Sequence, residues 1–146
     1  MTADSLAILA AGAFFLTALL TGVWKYLEIA ASEDGRAHPY VDVCHRAALL
    51  YAFAAMLLAE FARISQLPRG VELVAMALVL FYFATAIVTY AVHGWLKDTE
   101  NQLKPPFVLG GRALSGGAVA TQMWMLIAGE VGGFVVLFYG VVIELV

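Results

Sequence analysis

The sequence predicts an all-α integral membrane protein, an antiparallel four-helix bundle. Two observations carry that prediction. Only 13% of the residues are charged and 63% are hydrophobic, whereas soluble domains carry roughly a quarter charged residues. The apolar residues also come in blocks. Residues 5–24 and 73–96 hold no charge, and residues 113–143 hold only Glu130. Uncharged apolar runs of about 18 residues or more are long enough to cross a bilayer core. With 146 residues in all, four such spans leave no room for a soluble domain, so the chain is one transmembrane domain.

The first span is expected over residues 6–29. It does not read as a cleaved signal peptide, because Asp4 precedes it, no Lys or Arg does, and the apolar run is too long. The second is expected over residues 41–62. Only residues 47–59 of it are free of charge, but without a span here a 13-residue greasy segment would lie in water. Pro39 suits its first turn, where a missing N–H costs nothing. The third span is expected over residues 71–97, joined to the second by the tight QLPRG connection. The fourth is expected over residues 118–144. The connection before it, KPPFVLGGR, is rigid at its prolines and loose at its glycines. It is longer than topology requires, so it is expected to fold back as a lid.

Lys and Arg favour the cytoplasmic loops of short-looped membrane proteins. Lys25, Arg36 and Arg46 flank the first connection, and Lys97, Lys104 and Arg112 the third. Only Arg63 and Arg69 lie at the second. Both chain ends are therefore expected outside, and both longer loops in the cytoplasm. The single Cys44 excludes an internal disulfide and a Cys-based zinc site. No nucleic-acid partner is expected.

GRAHPYVDVCHR, residues 35–46, concentrates chemistry in a greasy chain. On a helix His38, Asp42 and His45 share one face within about 40°. His93 and Glu28 are expected at the same membrane depth. Imidazoles and carboxylates converging there suit a metal or haem. They equally suit an ordinary polar rim at the headgroups, where long side chains snorkel. Glu130 is expected near mid-membrane, where an acid costs about 2.5–3.5 kcal/mol to insert. Such a residue faces the bundle interior and is either functional or a protonated packing device. Gly129, Gly132 and Gly133 beside it allow close helix approach. Thr85, Thr89 and His93 form an i+4 stripe that lines a polar cavity or bonds between helices.

Four short-looped spans, Arg36-Ala37-His38 ahead of the second of them, and PPFVLGG before the fourth resemble the styrene oxide isomerase and hydroxylaminobenzene mutase group. FYFATAIVTYAVHGW is similar to that group's aromatic, Asn-bearing third helix. The resemblance implies that His38 is the axial ligand of a b-type haem held between subunits of a homotrimer. Arg36, His45 and Arg46 would then lie around the haem, with Arg36, Arg46 and Lys25 available to its propionates. Where the group carries an Asn-Gly pair this chain has Cys44 and His45. The group's Asn falls near Thr85, its catalytic Tyr near Thr89 or Tyr90, and its acid near Phe81.

The function implied is a haem-dependent isomerase in which iron acts as a Lewis acid on a small hydrophobic aryl epoxide or arylhydroxylamine. Tyr90 would orient the substrate, and Cys44 and Thr85 would form the pocket wall. The substrate would come from the membrane lipid. Two other readings stand beside it. One is a non-enzymatic membrane subunit that docks through the glycine-rich face of the fourth span. The other is a bis-His haem electron carrier.

Overall fold

A computed structural model describes residues 1–146. Four long helices make up almost all of it: α1 (Ala3–Ala31), α2 (Pro39–Ile64), α3 (Arg69–Leu96) and α4 (Gly116–Leu145). A two-stranded hairpin, β1 (Val108–Leu109) and β2 (Arg112–Ala113), sits in the connection before α4. Each helix is long and apolar enough to cross a membrane. The helix bounds differ from the expected spans by three residues at most.

Local signals set the helix ends. Pro39 opens α2, with His38 as the capping residue outside the helix. The Ser115 hydroxyl accepts the Ala118 N–H at 3.0 Å and caps α4. Lys97 closes α3 in the left-handed region, at φ 49°. That conformation is uncommon for a residue with a Cβ. It turns the chain at the end of α3, four residues after His93.

Small residues bring the helices together. The buried stripe of α1 is Ala3, Ala7, Ala11, Phe14, Ala18 and Thr21. It packs against α2, which buries Cys44, Ala48, Ala52, Ala55 and Ala59. Alanines at every third or fourth position let two backbones approach closely, the usual basis of helix association in lipid. Met76, Val79 and Leu80 of α3 and Leu137 of α4 fill the remaining core. The opposite faces are apolar too: Leu20, Phe53, Val74 and Trp124 are all exposed. Apolar surface on that scale belongs in lipid rather than water.

The glycines of α4 are used inside the chain. A Cβ on Gly133 would lie 2.5 Å from Val79 Cγ2 and 2.8 Å from the Ala75 carbonyl oxygen of α3. One on Gly129 would fall on the Tyr82 ring, and one on Gly140 on Ser65. Only Gly132 of the central group has open space around it. The face proposed for docking onto a larger complex is thus largely the α3–α4 seam. Gly133→Leu should therefore push α3 and α4 apart and destabilise the protein by about 1–3 kcal/mol. A thermal melt in detergent, set beside Gly132→Leu as the tolerated control, checks this.

Candidate functional site

The chemistry-bearing side chains gather at the end of the bundle that carries the 32–38 and 97–115 connections. They do not form one cluster. The structure divides them into three groups, and no three His, Cys, Asp or Glu side chains are arranged to hold a metal ion.

The first group is structural. Asp42 accepts from Lys25 of α1 at 2.5 Å and from Arg46 at 2.8 Å. Two of the three cations expected to meet propionates are therefore engaged with the same carboxylate. His45 Nδ1 bonds the Ala18 carbonyl oxygen at 2.8 Å and packs over Gly22, where a Cβ would lie 3.0 Å from the ring. A carbonyl only accepts, so Nδ1 of His45 carries the proton. Asp42 and His45 thus fasten α2 to α1.

The second group joins the first connection to α3. Glu28 Oε2 accepts the His38 backbone N–H at 2.9 Å, and Glu28 Oε1 pairs with Lys97 Nζ at 2.9 Å. His38 does not share the helical face of Asp42 and His45. As the cap it has φ −54° and ψ 139°, so the 100° helical step does not set its direction. Its Nδ1 accepts the Tyr40 N–H at 3.3 Å. In the neutral ring the proton then sits on Nε2, so ligation of a metal there would cost the bond to Tyr40. The crevice beside His38 is lined by Glu28, Asp34, Arg36, Lys97 and Glu100, not by apolar walls. These residues do not make a haem site within one chain.

The third group is the lid and what it covers. His93, on the last turns of α3, bonds Asp98 Oδ1 through Nδ1 at 2.7 Å. The two side chains are only 5% and 8% exposed. A Cβ on Gly94 next to His93 would be tightly placed, 3.0 Å from Val41 and 3.1 Å from Trp24. That close approach of α3 to α1 and α2 fixes where His93 stands. The other Asp98 oxygen accepts the Gly110 N–H at 2.7 Å. One carboxylate thus orients the imidazole and clamps the hairpin. Burial alone would push the Asp98 carboxyl up, but the bonds from His93 and Gly110 outweigh it and hold the carboxyl below its ordinary value.

The lid is ordered where the sequence suggested slack. Gly110 and Gly111 have φ of 58° and 77°, the positive values that a two-residue hairpin turn demands. The Tyr40 hydroxyl oxygen accepts the Gln102 N–H at 2.5 Å and ties the loop to α2. Tyr40 also sits between two rings, 5.1 Å from His93 and 6.0 Å from Tyr90. Under the loop lies a cavity of about 200 Å³ between α3, the hairpin and α4. Val88, Val92, Phe107, Leu114 and Met123 give it apolar walls, and Thr89, His93, Gln102 and Gln122 give it polar edges.

None of Tyr90, Thr85 and Cys44 lines this cavity. Tyr90 lies behind Tyr40. The Thr85 hydroxyl donates to the Tyr82 carbonyl at 2.9 Å. Cys44 is wholly buried, with its thiol 3.6 Å from the Ile87 carbonyl oxygen. Of the Thr85-Thr89-His93 stripe, only Thr89 and His93 reach the chamber. Asp98 and Gln102 are the residues sequence reasoning missed. The one signal was their place in the over-long connection.

Comparison with known protein families, with curated proteins and with solved structures found no match to this chain.

Proposed function

We propose that the chain is a membrane enzyme that rearranges a small hydrophobic substrate in the chamber beneath the 97–115 lid. The observation behind this is the His93–Asp98 pair at the edge of a covered, largely apolar cavity. A buried carboxylate that fixes an imidazole through Nδ1 leaves Nε2 as the ring atom that exchanges a proton with substrate. Asp98 has no other side-chain partner that would make the pair a mere ion network.

An intramolecular isomerisation suits a chamber of this size, because it needs no second substrate. For an aryl epoxide, the protonated His93 lends its proton to the oxygen as the benzylic C–O bond breaks. A hydride moves from the neighbouring carbon to the cationic centre. The protonated carbonyl that results returns its proton to Nε2, so the enzyme ends as it began. Gln102, on the polar edge of the cavity, would hold the oxygen, the part first assigned to Tyr90. An arylhydroxylamine is the other substrate class that this chemistry and the resemblance both suggest.

In this reading the helices run antiparallel, with both chain ends outside and the lid in the cytoplasm, as the Lys and Arg positions require. The enzyme is a homo-oligomer, a trimer by the resemblance, and its substrate enters from the lipid.

The test is turnover of styrene oxide and phenylhydroxylamine by the purified protein, with an absorption spectrum recorded alongside. The expected result is rearranged product, with turnover retained in His38→Ala. A Soret band lost in His38→Ala together with turnover would move the reaction to a haem iron. No rearrangement of either substrate class would remove the isomerase reading.

A further inference from the structure

We infer that Glu130 anchors a second ligand site, at mid-membrane depth, for a lipophilic organic cation. Glu130 is the fifteenth of the thirty residues of α4. It lines a cavity of about 250 Å³ between α2, α3 and α4, together with Leu57, Leu58, Val79, Phe83 and Phe134. This chamber is distinct from the one under the lid. Phe83 and His93 are ten residues apart on α3, about 15 Å along the helix axis.

The carboxyl is unpartnered. Its Oε1 is buried and has no hydrogen-bond partner. The threonine hydroxyls of α3 are spent on their own helix, Thr85 on the Tyr82 carbonyl and Thr89 on the Thr85 carbonyl. Every Lys and Arg lies in a connection or toward a helix end. No tyrosine hydroxyl is bonded to it either, and a buried polar group without a donor is costly.

What this group lacks defines what it would take. A positive charge or an N–H answers the carboxylate. The remaining walls are apolar and include two aromatic rings, whose faces attract cations. Phe83 is held in place by stacking on Tyr51 at 4.2 Å, and Phe134 by stacking on Phe138 at 5.7 Å. The ligand class is therefore an ammonium carrying an aromatic or branched apolar body, soluble enough in lipid to reach the midplane.

The experiment titrates the detergent-purified protein with N,N-dimethylbenzylammonium by calorimetry. In parallel it uses isobutylbenzene, the uncharged isostere. The expected result is saturable binding of the cation, one per chain. Glu130→Gln should weaken it by about thirtyfold or more, the usual consequence of breaking a buried charge pair. The uncharged isostere should bind more weakly than the cation by a similar factor. Full-strength binding to Glu130→Gln, equal binding of the isostere, or no saturable binding would each overturn the site. A second measurement needs no variant. Dicyclohexylcarbodiimide labelling of Glu130 in the wild-type chain, read by mass spectrometry, should be suppressed by the bound cation. Labelling unaffected by saturating cation would overturn the site as well.

Discussion

His93→Gln should lower kcat for rearrangement by about 10²–10⁴-fold, the range that a positioned acid–base group contributes. KM should move far less, because the cavity walls that hold the substrate stay in place. The reason lies in the tautomer. Asp98 holds the ring by Nδ1 at 2.7 Å, so Nε2 is the atom left to exchange a proton with substrate. Gln keeps a polar side chain of similar reach but cannot accept and return a proton at neutral pH. Steady-state kinetics on helical, monodisperse protein check the prediction. Equal losses in kcat/KM through KM alone would make His93 a binding group instead.

Asp98→Ala should open the lid, and it is the substitution with the largest structural effect. It removes the bond to Gly110 at 2.7 Å and the partner of His93 in one step. Losing the carboxylate leaves the buried His93 N–H without an acceptor, which costs about 1–3 kcal/mol. Limited proteolysis should cut within residues 99–115 in Asp98→Ala while the helices stay intact. The same contact sets a pH dependence. The Asp98 carboxyl is held below its ordinary value in the folded protein. Its contribution is therefore fully present above the unfolded-state carboxylate pKa of about 3.9, and it is lost as pH falls through the lower folded value. The wild-type lid should thus become protease-sensitive only in acid, and Asp98→Asn should remove that acid step. Cleavage that is independent of pH in the wild type would contradict the clamp.

The helices were legible because their signal is long. Two of the four contain uncharged runs of twenty residues or more, 5–24 and 73–96, and Pro39 and the QLPRG turn mark where the chain reverses. The site was only half legible, for local reasons. His38 and His45 look like neighbours on a helical wheel, but the helix begins at Pro39, after His38. The wheel therefore does not apply to His38. His93 and Asp98 are five apart, a spacing that an unbroken helix would not bring together. The left-handed turn at Lys97 swings Asp98 back onto the ring, and nothing in the composition of WLKDT marks a left-handed lysine. Gly110-Gly111 reads as slack because each flanking strand has only two residues, too few to show an alternating pattern. The glycine face of α4 reads as a docking surface until Tyr82 and Val79 of α3 are found against it.

The central claim is that a small apolar substrate occupies the chamber under the lid. Photolabelling with a diazirine analogue of styrene oxide, followed by mass-spectrometric mapping of the adducts, tests it most directly. Adducts on Leu103, Phe107 or Met123, suppressed by excess substrate, are the predicted result. Competable adducts confined to the crevice around His38, or to the walls around Glu130, would contradict it.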